Sequence, residues 1–198
     1  MNLPNTLTVA RIFLVPLLVV VLLTKFPAPE LFGLPKELVA AAIFGLASLT
    51  DWLDGFLARR HGQITTLGQL LDPLADKLLI TAALVSLVQM SLVPAWMAAV
   101  IIGRELAVTV LRSLAQSRGA IMPASSLGKL KMTAQIVAVL TLLVAEGLWR
   151  PLLPVGLAAL WVSVAIAIVS AADYYRQFVQ LTGQAQRAVR AAPGRLNH

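Results

Sequence analysis

The chain has 198 residues, of which 59% are hydrophobic and only 13% are charged. With a mean hydropathy of +0.84, it lacks the polar side chains that the surface of an ordinary soluble domain needs. A net charge of +7 would suit nucleic acid, but no basic soluble face with interleaved aromatic residues is present, and the lack of cysteine excludes disulfides and thiol catalysis.

Six apolar segments predict six membrane-spanning helices, at roughly 7–24, 37–58, 72–91, 93–115, 130–147 and 152–172. Each is close to the ~20 residues that a helix needs to cross ~30 Å of hydrocarbon. We therefore expect an all-α polytopic membrane protein whose six helices surround a polar cavity open to the cytoplasmic side. One transmembrane domain would occupy 1–175, and a polar basic cytoplasmic tail would occupy 176–198.

The distribution of basic residues predicts the orientation of these helices. They are concentrated at the N-terminus, in the second and fourth connections and in the tail: Arg11, Arg59, Arg60, Arg118, Lys129, Lys131, Arg176, Arg187, Arg190 and Arg195. By the positive-inside rule, both termini and these connections face the cytoplasm. Because Arg11 interrupts the first apolar run and no small-residue cleavage site follows, we expect a retained helix and not a signal peptide.

Four aspartates lie close together in this apolar chain, at 51 and 54 in D-W-L-D-G-F-L-A-R and at 72 and 76 in G-Q-L-L-D-P-L-A-D. An aspartate at the centre of a membrane helix costs roughly 2.5–3.5 kcal/mol on insertion scales, so such carboxylates usually face a cavity, a partner or an ion. The spacings i,i+3 and i,i+4 place each pair on one helix face. Two helices would then direct four carboxylates toward one point.

This arrangement predicts a site for two divalent cations. Mg²⁺ and Mn²⁺ prefer hard oxygen ligands, and a two-metal site with ions ~3.5–4 Å apart suits displacement at phosphorus. Gly55, Ala58 and Gly68 would leave room for a bulky ligand, and Arg59 offers a planar fork for phosphate. The alternative interpretation is structural, with the aspartates paired to Lys77 or Arg59 or serving as a proton or cation relay.

Local signals place the aspartates near helix ends. We expect the second helix to end at Arg60, with His61 and Gly62 in the loop, because glycine is common directly after a helix. The third helix should begin near Thr65 and contain Pro73 in its first turns. This start would place the second pair of aspartates level with the first.

A second polar group of residues predicts an anion site. Arg104 and Arg112 are about 80° apart around the fourth helix. Arg118, Ser126, Lys129 and Lys131 lie in the following connection and the start of the fifth helix. Arg104 either forms a structural ion pair with Glu105 or binds a phosphate, and Arg118 and Lys131 could be interface anchors instead. Trp52, Trp96, Trp149 and Trp161 are typical of membrane-interface or packing residues.

At residues 51–76 the chain resembles the CDP-alcohol phosphatidyltransferase family, whose motif is D-x-x-D-G-x-x-A-R-x8-G-x-x-x-D-x-x-x-D. Every specified position matches. Further segments resemble the branch of that family that makes phosphatidylglycerophosphate: N-L-P-N-T-L-T-V-A-R at 2–11, D-P-L-A-D-K at 72–77, G-R-E-L at 103–106 and G-K-L-K at 128–131.

The resemblance implies a reaction and its residues. Two Mg²⁺ or Mn²⁺ ions would be bound by Asp51, Asp54, Asp72 and Asp76, and Asp76 would also be the general base. CDP-diacylglycerol would contact Pro4, Asn5, Thr8, Gly55, Ala58, Arg59, Thr65 and Gly68. The acceptor would be sn-glycerol 3-phosphate, and its phosphate would contact the residues that the sequence pattern already grouped as an anion site: Arg104, Arg112, Arg118, Ser126, Lys129 and Lys131. The products would be phosphatidylglycerophosphate and CMP, made by a homodimer in the bacterial cytoplasmic membrane.

Two alternatives stay open from the sequence. Inositol phosphate, phosphatidylglycerol, serine, choline or ethanolamine could replace the acceptor, although the basic residues favour one that carries its own phosphate. A divalent-cation transporter could also use intramembrane carboxylates, but it would need acids spread along a pathway, whereas these acids lie at one face.

Overall fold

The computed structural model describes the backbone of residues 3–24, 30–31, 33–61, 66–117 and 126–191, and the side chains of 9–24, 33–50, 75, 77–117 and 130–181. Six α-helices form the described part of the chain: α1 Leu3–Leu23, α2 Lys36–His61, α3 Thr66–Gln89, α4 Ala95–Ser117, α5 Ser126–Gly147 and α6 Leu153–Ala191. A short 3₁₀-helix, Arg150–Leu152, precedes α6, and two strands of two residues, β1 Glu30–Leu31 and β2 Leu34–Pro35, lie between α1 and α2.

Each of the six predicted segments is helical over most of its length, and this confirms the all-α class. The third helix begins at Thr66 and contains Pro73, as predicted. The second helix includes His61, so its assignment to the loop is wrong by one residue. Since α6 continues to Ala191, the helix does not end at the proposed boundary of 176, and the division into domain and tail stays a prediction.

The β-hairpin was not predicted, because each strand is only two residues long. Glu30 pairs with Pro35 and Leu31 with Leu34, in antiparallel register. Gly33 has a φ of 75°, a conformation that glycine adopts without a steric penalty. The hairpin leads directly into α2, where the Lys36 ammonium donates a 2.9 Å hydrogen bond to the carbonyl of Leu22 near the end of α1. This contact ties the start of α2 to the end of α1.

All six helices contribute to one apolar core. Its largest fully buried apolar side chains are Leu18, Leu22, Phe44, Leu84, Leu87, Met97, Ile101, Val139, Leu142, Leu143 and Leu160. Alanines at 40, 47, 83 and 138 are fully buried among them, which lets the helices approach closely. A smaller apolar cluster extends the contact between α4 and α6 and contains Val108, Ala115 and Tyr174.

Helices α4 and α6 run parallel to each other. Three contacts advance together along both helices: Trp96 with Trp161, Arg104 with Ser170, and Arg112 with Tyr174. Helices α2 and α5 are antiparallel, because Gly147 lies against Leu38 whereas Gly45 lies against Leu140. Both relations are expected when successive helices along the chain alternate in direction.

Within the described residues, two segments are long and apolar enough to cross a membrane, Leu130–Gly147 and Arg150–Leu181. Shorter apolar helices lie at Val9–Leu23 and Lys77–Gln89. The two longer segments indicate membrane association. The other predicted crossings stay predictions.

Close packing at Gly156 gives a stability prediction. A Cβ atom there would lie 2.8 Å from Cγ and Cδ2 of Leu142 and 3.2 Å from its backbone nitrogen. We expect Gly156→Ala to lower the free energy of unfolding by about 1–2 kcal/mol, because overpacking outweighs the gain in helix propensity. The measurement is thermal unfolding of the purified protein in detergent.

Gly45→Ala is the matched control, because its Cβ would meet only Leu140 Cδ2, at an ordinary 3.6 Å. This variant should unfold at or above the wild-type temperature. Equal stability of the two alanine variants would show that α5 and α6 are less closely packed at Gly156 than the structure indicates.

Candidate functional site

The four aspartates lie in regular helix. Residues 51 and 54 belong to α2, and residues 72 and 76 belong to α3. Because the backbone is helical at all four positions, each pair shares one helix face, as the spacing predicted. The two helices contact each other and are separated by only four residues, so the end of α2 and the start of α3 lie at the same end of the molecule.

The predicted contacts to CDP-diacylglycerol are described only in part. The backbone at 4, 5, 8, 55, 58, 59 and 68 is helical, and Thr65 lies outside the described residues. The side chains at all these positions, and those of the four aspartates, lie outside the described residues as well. Among the side chains that are described, no group of three or more His, Cys, Asp or Glu could hold a metal ion. The predicted metal site therefore stays a prediction.

Lys77, the residue after Asp76, connects α3 to α4. Its ammonium donates a 2.6 Å hydrogen bond to the hydroxyl of Thr109. That hydroxyl donates in turn to the backbone carbonyl of Glu105, at 2.7 Å. The aspartate-bearing end of α3 is thus held beside the part of α4 that carries the predicted anion site.

Glu105 lies between two of the predicted basic residues. Its Oε1 atom is 2.9 Å from Nη1 of Arg104, and the same oxygen contacts Nζ of Lys131 on α5. Both basic side chains are buried, with exposed fractions of 7% and 6%, whereas that of Glu105 is 24%. The ion pair between Arg104 and Glu105 that the sequence suggested is therefore present, and Lys131 is buried within the protein.

Two α6 residues contact the arginines. Nη2 of Arg104 donates to the hydroxyl of Ser170. Nη2 of Arg112 donates to the Tyr174 hydroxyl at 3.0 Å. The guanidinium carbons of Arg104 and Arg112 lie 5.7 and 5.6 Å from the centre of the Tyr174 ring, within the range of cation–π attraction. Tyr174 therefore positions both arginines.

We call Lys77, Arg104, Glu105, Arg112 and Lys131 the basic cluster. Among the side chains that the structure describes, it contains more basic groups than carboxylates, and the Nε atoms of both arginines are buried without a hydrogen-bond partner. Buried donors without partners are costly, so the cluster is suited to binding an anion with several oxygen atoms.

The structure brings together three of the six predicted acceptor residues, namely Arg104, Arg112 and Lys131. Arg118 lies outside the described residues. Ser126 and Lys129 lie on α5, but their side chains are not among those described. Sequence reasoning missed the parts played by Ser170, Tyr174 and Thr109. Serine and tyrosine in the apolar sequence of α6 were a usable signal, but only the pairing of α4 with α6 reveals their partners.

Comparison with known proteins identifies the family of the chain. The sequence profile described as CDP-alcohol phosphatidyltransferase matches residues 1–169. A Bacillus subtilis protein named CDP-diacylglycerol–glycerol-3-phosphate 3-phosphatidyltransferase is 44% identical over 180 residues, covering 88% of this chain and 93% of the relative. A Salmonella choleraesuis protein of the same name is 40% identical over 182 residues, covering 87% and 92%.

A third relative, from Mycobacterium tuberculosis, is named probable phosphatidylglycerophosphate synthase. It is 40% identical over 174 residues, which cover 87% of this chain and 79% of the relative. The profile spans the aspartate motif and the whole basic cluster, and the relatives bear names from the branch that the sequence segments resembled. The chain therefore belongs to the CDP-alcohol phosphatidyltransferase family.

Proposed function

We propose that the protein transfers the phosphatidyl group of CDP-diacylglycerol to sn-glycerol 3-phosphate, giving phosphatidylglycerophosphate and CMP. The observation that carries this proposal is the link between Lys77 and Thr109, which joins the aspartate-bearing helix to the basic cluster. A donor diphosphate at the aspartates and an acceptor phosphate at the cluster would then be neighbours. The names of the relatives support the same reaction.

The residues present fit a pair of divalent cations. Two contacting helices each carry two carboxylates on one face, and carboxylate oxygens are the ligands that Mg²⁺ and Mn²⁺ prefer. Asp51, Asp54, Asp72 and Asp76 would hold them. When bound, such ions neutralise the charge of a diphosphate and improve CMP as a leaving group.

The protein's own residues would act on both substrates. Arg104, Arg112 and Lys131 bind the acceptor's phosphate, with Arg118, Ser126 and Lys129 as further contacts. Asp76 accepts the proton of the acceptor's free hydroxyl while the hydroxyl oxygen forms a bond to the phosphorus of the phosphatidyl group. The bond from that phosphorus to the CMP oxygen breaks, and CMP leaves. The proposed donor contacts are Pro4, Asn5, Thr8, Gly55, Ala58, Arg59, Thr65 and Gly68.

The same proposal includes the orientation in the membrane. All six helices would cross the bacterial cytoplasmic membrane, with both termini and a polar cavity on the cytoplasmic side. The parallel course of α4 and α6 supports alternating crossings, since an even number of reversals separates them. The positions of the basic residues support the assignment of sides. A homodimer is proposed from the family resemblance alone.

The test is CMP release from CDP-diacylglycerol by purified protein in mixed micelles with Mg²⁺ or Mn²⁺. Glycerol 3-phosphate, inositol phosphate, phosphatidylglycerol and serine are supplied separately. We expect release with glycerol 3-phosphate only, and its loss when EDTA removes the metal. Release with a different acceptor would contradict the acceptor assignment, whereas no release by protein that unfolds cooperatively would contradict the transfer reaction itself.

A further inference from the structure

One carboxylate lies within the basic cluster, and a single oxygen of it contacts both buried cations. Glu105 Oε1 contacts Nη1 of Arg104, at 2.9 Å, and Nζ of Lys131. An anion that binds both cations from the same side must therefore displace this oxygen.

The three groups differ in how firmly they are held. Glu105 is the most exposed of them, with 24% of its side chain accessible, so it is the least enclosed of the three. Arg104 has two further partners besides Glu105, namely the hydroxyl of Ser170 and the ring of Tyr174. Its Nε is buried and has no partner within the described part of the chain, so a ligand with several oxygens can bond to more of the guanidinium than Glu105 does. Displacement of Glu105 would leave the arginine in place.

We propose that Glu105 is a specificity-determining residue, an internal counter-ion that competes with the acceptor's phosphate for Arg104 and Lys131. This inference rests on the proposed function. Exchanging a carboxylate for another monoanion gains no charge, whereas exchanging it for a phosphate dianion gains one. Glu105 therefore excludes monoanions such as chloride and admits the phosphate ester, at the cost of weaker binding of every anion.

The test is Glu105→Gln, which keeps the shape of the side chain and removes its charge. The KM for glycerol 3-phosphate should fall about tenfold, and kcat should change by less than about twofold, because the acceptor's phosphate is bound more tightly by the same amount in the ground state and in the transition state. Chloride, exchanged for gluconate at constant ionic strength, should become a competitive inhibitor of the variant. An unchanged or raised KM would overturn the proposal.

A second readout does not need activity. The dissociation constant of inorganic phosphate, measured from its effect on thermal unfolding, should also fall about tenfold in Glu105→Gln. If the wild-type protein released no CMP, the proposed reaction would fail, yet this constant would still decide whether Glu105 competes with anions. An equal constant in both proteins would refute the competition.

Two further variants complete the design. Glu146→Gln removes a carboxylate from a different ion pair, in which Oε1 of Glu146 lies 2.6 Å from Nη2 of Arg150. This variant should leave both the KM for glycerol 3-phosphate and the dissociation constant of inorganic phosphate unchanged. Glu105→Asp keeps the charge but draws it back from Lys131, and it should lower both constants by less than Glu105→Gln does. A rise in the phosphate constant in Glu105→Asp would mean that Glu105 only positions the cations, which contradicts the competition.

Discussion

Replacement of Asp76 by Asn is expected to lower the kcat of CMP release by a factor of about 10²–10⁴, the usual contribution of a general base. The amide cannot accept the proton of the attacking hydroxyl, and it is a weaker ligand for a divalent cation. The residue lies on α3, beside Lys77, whose bond to Thr109 connects this helix to the basic cluster. The measurement is the initial rate with saturating CDP-diacylglycerol and glycerol 3-phosphate.

Two controls separate the effects of Asp76. Raising Mn²⁺ to saturation should not restore kcat. If Asp76 served only as a metal ligand, the variant would bind the ion more weakly, and saturating Mn²⁺ would restore its activity. Asp173→Asn makes the same chemical change on α6, where the carboxylate accepts a 3.0 Å hydrogen bond from Gln177. That variant should keep wild-type activity. A variant at Asp76 with wild-type kcat would rule out its role as the base.

Replacement of Arg104 by Lys is expected to raise the KM for glycerol 3-phosphate about ten- to a hundredfold. The guanidinium makes separate contacts to Glu105, to Ser170 and to the Tyr174 ring, and a single ammonium cannot span all three. Loss of one or two charge-assisted hydrogen bonds accounts for the size of the change. Steady-state kinetics with varied acceptor measure it.

Arg150→Lys is the matched control for Arg104→Lys. Arg150 also pairs with a glutamate, but 74% of its side chain is exposed, so an ammonium can replace the guanidinium at little cost. Its KM should equal that of the wild type. If Arg104→Lys behaved in the same way, Arg104 would be a structural partner of Glu105 and not a ligand of the acceptor's phosphate.

The sequence was sufficient to predict the helices because each one carries a long apolar run. Such a run must be removed from water, whichever other helices it packs against. The sequence also predicted that the third helix begins near Thr65, one residue before its observed start at Thr66, and that it contains Pro73. It did not predict how far α6 continues. The segment from 176 onward is polar enough to be predicted as a tail, yet Phe178 and Leu181 pack against the cluster of Val108 and Ala115 on α4.

The candidate site was predictable in its chemistry and less so in its geometry. Spacing alone showed that Arg104 and Arg112 lie about 80° apart on one helix. Their common partner, Tyr174, is 62 residues from Arg112 in sequence, and no local pattern points to it. The bond between Lys77 and Thr109 likewise depends on the packing of α3 against α4. Contacts between distant segments are set by tertiary packing, which one sequence does not reveal.

The paired indoles offer an optical reporter for the site. The ring centres of Trp96 and Trp161 are 5.2 Å apart with planes inclined by 61°, a geometry in which two indoles couple electronically. The same pair of helices that brings these rings together also brings Arg104 to Ser170. A near-ultraviolet circular dichroism band from the coupled rings would therefore report how α4 is aligned with α6 in any variant of the basic cluster. The measurement requires no change at a residue that is proposed to contact substrate.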